Sequence, residues 1–113
     1  MTKRTLIMLA VAALLSGCVT NTNLYDWGDY EETLFVFYHE PAYKEGALQN
    51  YLTFLEQHQG PKLLAPGLYA EAGTFMLEEG NIEQAIQYYR LESEQWPESR
   101  PLMSVLIDNL EAW

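Results

Sequence analysis

The chain has 113 residues with 16 acidic and six basic side chains, a formal charge of −10, and 49% hydrophobic residues including eight tyrosines and three tryptophans. That length allows one small domain, and the acidity argues against nucleic acid or an anionic lipid surface as a ligand of the folded part. A single cysteine, Cys18, excludes an internal disulfide, a CxxC redox pair and a thiolate metal site within one chain.

At the N-terminus, Lys3 and Arg4 precede an unbroken apolar run from Leu6 to Leu15, then Ser16, Gly17 and Cys18. A short basic region followed by an apolar segment is the layout of a secretory signal, and ten residues are too few to span a bilayer as a helix. The ending Leu15-Ser16-Gly17-Cys18 resembles the lipobox of bacterial lipoproteins. That resemblance implies cleavage before Cys18, a diacylglycerol thioether on its sulfur and further acylation, such as palmitate, at the new N-terminus. Two or more acyl chains anchor stably where one does not. With Val19 rather than Asp after the lipidated residue, the resemblance further implies the outer membrane, facing the periplasm.

Residues 1–17 are thus expected to be a signal peptide and residues 18–27 a lipidated cysteine and tether. Residues 28–113 are expected to form the folded domain. Removal of the leader leaves Lys44, Lys62, Arg90 and Arg100 against all 16 acids, a charge of −12. Acyl groups rather than surface charge would then hold the protein at the membrane.

Asp29 and Glu32 have the spacing of a capping box, and Tyr30, Leu34, Phe37 and Tyr38 follow on one helical face, predicting a helix from Tyr30 to His39 before Pro41. The acids at 26, 29 and 31 lack the alternation, the glycine and the distal glutamate of an EF-hand, so no metal or other cofactor is expected. Pro41 suits the start of a second helix carrying Ala47, Leu48, Tyr51, Leu52 and Leu55 and ending near Gly60-Pro61. Pro66 can open a third, with Leu68, Ala72, Phe75 and Met76 on its apolar face. Gly80 breaks it, and Asn81 with Gln84 caps a fourth that bears Ile82, Ala85, Ile86 and Tyr89 and stops at Trp96-Pro97. Ser99 can cap a last helix whose apolar stripe is Leu102, Val105, Leu106, Leu110 and Trp113.

With Pro97 as a closing proline, Tyr69, Gly73, Ala85 and Tyr89 take the aromatic and small positions of a tetratricopeptide repeat, which this segment resembles. Ala72 and Glu92 depart from that pattern, and Glu92 predicts looser packing toward the next helix. A fainter copy places Ala47, Tyr51 and Phe54 at equivalent positions. The fold expected is all-α: about five helices in tetratricopeptide-like antiparallel pairs with a C-terminal capping helix. Such a short stack leaves apolar surface uncovered. Tyr25, Trp27, Tyr30, Tyr69 and Trp113 are the candidate surface for a protein partner.

No enzymatic activity is expected. His39 and His58 stand on separate helices without a nucleophile beside them, and Glu31-Glu32 and Glu78-Glu79 diverge around their helices rather than form dyads. Tyr25, Trp27, Gly28, Tyr30 and Glu31 supply a Tyr-x-Trp-Gly-x-Tyr-Glu segment. The chain is similar in this to a family of small uncharacterised bacterial lipoproteins, often encoded beside a lipoprotein resembling the curli secretion channel. The resemblance implies a lipid-anchored, non-catalytic adaptor or scaffold for protein–protein interaction, with that channel-like lipoprotein as one partner. A binding module for peptidoglycan or another envelope ligand is the alternative, and an inhibitor of a foreign lysozyme a third reading.

Overall fold

A computed structural model describes residues 2–15 and 24–113. The helices are α1 (Lys3–Leu15), α2 (Tyr30–His39), α3 (Lys44–Gln57), α4 (Leu68–Glu78), α5 (Ile82–Gln95) and α6 (Arg100–Glu111), with a 3₁₀ turn over Pro97–Ser99. The fold is all-α, and among the described residues β pairing is confined to one isolated parallel bridge between Asp26 and Leu64. No helix of the described residues is long and apolar enough to cross a membrane.

The five helices from α2 onward lie where the periodicity predicts them, but their ends differ from the sequence signals. Pro41 and Pro66 both fall in turns, so α3 and α4 begin at Lys44 and Leu68. Asp29 makes no side-chain cap on α2. Its backbone (φ −97°, ψ 37°) lies outside the extended region from which an N-cap side chain reaches the first turn. Ser99 does not cap α6 either, because its hydroxyl is engaged elsewhere.

The α4–α5 connection follows its sequence closely. Gly80, at φ 78°, takes the left-handed position after α4. The Asn81 N–H then donates to the Met76 carbonyl at 2.8 Å and the Gly80 N–H to that of Leu77 at 3.0 Å, the paired bonds of a Schellman motif. The Asn81 side chain accepts from the Gln84 N–H at 3.1 Å and donates to Gln84 Oε1 at 3.1 Å, forming the anticipated cap. Gly73 allows the two helices to meet. A β-carbon there would lie 2.5 Å from Tyr89 Cε1 and 3.1 Å from the Ala85 carbonyl oxygen. The hairpin therefore packs as a tetratricopeptide pattern requires at Gly73, Ala85 and Tyr89, all three buried.

One continuous core joins the pairs, running through Phe37, Leu48, Tyr51, Leu55, Leu68, Phe75 and Tyr89 to Met103 and Ile107. At its centre the Tyr51 hydroxyl donates to the Leu68 carbonyl at 2.7 Å, tying α3 to the first turn of α4. Glu92 is not a point of loose packing. Only 1% exposed, its Oε1 accepts from the Gly67 N–H at 2.8 Å and from the Ser99 hydroxyl at 3.2 Å, bridging the start of α4, α5 and the 3₁₀ turn. A carboxylate that receives two donors supplies contacts an alanine could not.

The inner face of α6 is rotated from the expected stripe. Met103 and Ile107 are buried and Leu106 and Leu110 partly so, whereas Leu102, Val105 and Trp113 face solvent. In α5, likewise, Tyr88 is buried and Ile82 exposed.

Candidate interaction surface

Packing begins upstream of Gly28, where the tether was expected to end. The Asp26 N–H donates to the Leu63 carbonyl at 2.8 Å, and the Ala65 N–H donates back to the Asp26 carbonyl at 3.0 Å. Asp26 Oδ1 accepts from the Gly28 N–H at 3.0 Å, and Oδ2 lies 3.4 Å from His58 Nδ1. The opposite ring nitrogen of His58 bonds the Lys62 carbonyl at 2.7 Å, so Nε2 carries the proton. Gly28 adopts φ 52°, and a β-carbon on it would lie 2.6 Å from the Phe54 ring. Only glycine fits that conformation and that contact together. The Tyr-x-Trp-Gly segment is therefore an arm latched on α3 and the α3–α4 connector. Periodicity could not reveal this, because the pairing is non-local and only two bonds long.

The five candidate aromatic residues do not converge on one surface. Tyr25 stands edge-on to Trp96, with centroids 5.4 Å apart, and is partly buried. Trp27, 42% exposed, lies 5.9 Å from Tyr30, which in turn lies 6.4 Å from buried Tyr51. Tyr69 is partly buried in a hollow at the connector with His58, Lys62 and Leu63. Trp113 is fully exposed at the end of α6. Tyr25 and Tyr30 thus pack against rings of other elements, and Trp27 against Tyr30. Cys18, the expected lipidation site, lies outside the described residues.

A surface that the sequence did not indicate lies between α2 and α4. Phe37 and Phe75 meet at 4.4 Å and Tyr38 reaches Phe75 at 6.4 Å, setting the two helices side by side. Tyr30, Leu34 and Tyr38 recur every four residues along α2, and Glu71 and Glu78 stand two turns apart along α4. Burial raises the Tyr30 phenol above its ordinary range, and the Glu71 carboxylate and Tyr38 raise it further. Burial, then Glu71 and Glu78, do the same for Tyr38, against a smaller opposing effect of Lys44. Burial also raises the Glu71 carboxyl. The nearest ammonium, that of Lys44, is committed to Glu79 and to the Phe37 ring face, 4.2 Å below it. A half-exposed ring on an aromatic floor, in the field of the α4 carboxylates, can accept a cationic side chain and its hydrophobic neighbours. The missing signal was tertiary, since nothing in either helix alone states that Tyr38 and Phe75 are neighbours.

Other polar groups are structurally engaged. His39 stacks on Phe35 at 4.9 Å, and Arg90 pairs with Glu111 at 2.6 Å. Among the described residues no group of three His, Cys, Asp or Glu side chains is arranged to hold a metal.

The fold defines a class: a small all-α protein built of antiparallel helix pairs, closed at one end by a single helix and clasped by an N-terminal arm. More narrowly, the chain belongs to the DUF4810 family, described as a domain of unknown function, whose model matches residues 24–106. That span runs from the arm into α6, so the latched arm is part of the family domain. No curated protein and no solved structure matches the chain.

Proposed function

We propose that this protein is a non-catalytic adaptor of the bacterial cell envelope. In this reading acyl chains on Cys18 hold it at the periplasmic side of the outer membrane, and the α2–α4 face engages a protein partner. The observation that carries the adaptor reading is half-exposed Tyr38 lying over Phe75, with burial and then the charges of Glu71 and Glu78 raising its phenol and the opposing Lys44 tied to Glu79. A partly desolvated carboxylate, here that of Glu71, favours a ligand that brings positive charge. Anchoring is supported by the leader and the Leu15-Ser16-Gly17-Cys18 sequence. A lipoprotein similar to the curli secretion channel is the partner to try first.

The test has two arms. Labelled palmitate should enter the native chain and not Cys18→Ser; equal label in both, or none in either, removes the anchor. Complexes isolated in mild detergent should contain one reproducible companion that Glu71→Lys with Glu78→Lys releases while leaving helicity intact. A companion indifferent to both substitutions would refute the assignment of the face. Retention on purified cell wall instead would favour the envelope-ligand alternative.

A further inference from the structure

We propose that the corner formed by the N-terminal arm and the α3–α4 connector is the face that rests on the lipid bilayer, with Leu24, Leu63 and Lys62 at the contact. The inference rests on the anchoring at Cys18 proposed above, and adds to it a fixed orientation of the helical body.

Three independent observations converge on this corner. The first is reach: Leu24 follows Cys18 by six residues, and six residues extend at most about 20 Å. The arm cannot swing freely beyond that, because Asp26 is bonded to Leu63 and Ala65 and Gly28 is seated against Phe54. Whatever lies beside Leu24 is therefore held near the membrane.

The second is charge. Residues 57–70 contain no Asp or Glu, the longest acid-free run from residue 24 onward in a chain with 16 acids, and they include Lys62 and His58. The one acid of the adjoining arm, Asp26, faces His58 at 3.4 Å. Glu56, the residue before this run, lines the connector hollow together with His58 and Lys62. An acidic body is repelled by anionic headgroups, so the segment poorest in acids, which carries Lys62, is the part that can approach them.

The third is apolar exposure: Leu24 is 77% exposed and Leu63 55%, both on the two paired segments, whereas Trp27 turns to a hollow lined by Asp29, Glu31 and Glu32. Exposed leucines flanked by a lysine, whose stem can lie along apolar surface while its ammonium stays in water, suit the headgroup boundary. From this corner α4 leads away over 11 residues, about 16 Å, to the Gly80-Asn81 turn. There Glu79 pairs with Lys44 at the start of α3, marking the opposite end of the body.

The experiment uses the full acylated protein in nanodiscs of phosphatidylethanolamine and phosphatidylglycerol doped with a gadolinium-chelating lipid. Amide signals of residues 24, 60 and 62–64 should be lost to paramagnetic broadening, while those of residues 40, 42–44 and 79–81 persist. Lys62→Glu with Leu63→Asp should restore the connector signals without changing the acyl content of Cys18. Uniform broadening, or broadening strongest at residues 40, 42–44 and 79–81, in protein shown by mass to be acylated would overturn the orientation alone. It would leave the corner for a protein partner or a second copy. An unmodified Cys18 would overturn the anchor and the orientation together.

Discussion

Two glycine-to-alanine substitutions, chemically identical, should change stability in opposite directions. Gly46 is on the exposed side of α3, with no atom within 4 Å of the position a β-carbon would take. Alanine there reduces the conformational freedom of the unfolded chain and should stabilise by about 0.5–1 kcal/mol. Gly73 is also helical and would gain the same term, but its added methyl would lie 2.5 Å and 2.7 Å from two carbons of Tyr89 and 3.1 Å from a backbone oxygen. Tyr89 is 2% exposed and its hydroxyl lies 3.2 Å from the Thr74 hydroxyl, so the ring has no free direction in which to retreat. Relief must come from parting α4 and α5, an overpacking cost of about 1–3 kcal/mol. The net expectation for Gly73→Ala is a loss of roughly 1–2 kcal/mol, or about 4–16 °C in Tm for a domain of this size. Gly46→Ala should raise Tm by a few degrees. Thermal unfolding followed by circular dichroism at one pH separates them. A Tm for Gly73→Ala at or above that of the parent chain would refute the close approach of the two helices.

Further expectations concern the arm and the buried titrating groups. Gly28→Ala forces a left-handed alanine against Phe54 and should cost about 1–2 kcal/mol or more, with faster amide exchange at Asp26 and Ala65 than elsewhere. Unchanged exchange at those two amides would disprove the latch. Burial raises the Glu71 carboxyl, so its ionisation opposes folding: this group's contribution favours the folded state below the ordinary carboxylate range and is lost as pH rises through the folded value. Glu71→Gln should therefore raise Tm at neutral pH, and the gain should vanish in acid; a gain independent of pH would contradict it. Burial, aided by Glu71, pushes the Tyr51 phenol far above its ordinary value of about 10, so stability should fall as pH climbs past about 10. Tyr51→Phe should show a shallower alkaline loss, and about 1 kcal/mol less stability at neutral pH from the lost bond to Leu68. The two pH series, read by urea titration, would detect either failure.

Local chemistry was legible where one segment carries its own instruction. The α4–α5 turn shows this: Gly80 is permitted the left-handed conformation, and Asn81 presents a short acceptor to Gln84. Where the partner is remote, local signals misled. Asp29 has a capping spacing, yet the turn through Gly28 sets its backbone outside the capping region. Glu92 departs from a repeat pattern, yet it receives donors from Gly67 and Ser99, 25 and seven residues away. Periodicity marks an apolar stripe to within about one residue of rotation, which is why Met103 and Ile107, rather than Leu102 and Val105, face the core. The aromatic candidates were identified by type, and type alone does not distinguish Tyr25, packed on Trp96, from Trp113, wholly in solvent.

By itself, then, the sequence determined the helices, their order, the hairpin at Gly80-Asn81 and the acidic balance, because hydrophobic period, capping and charge count act over a few residues or over none. Only the tertiary structure decided that the arm at Asp26 locks onto the α3–α4 connector, that α2 and α4 bring Tyr38 over Phe75, and which side of α6 is covered. Those outcomes depend on contacts between separate helices and loops, up to about 40 positions apart in the chain, whose geometry emerges only when the core around Tyr51 and Phe75 closes.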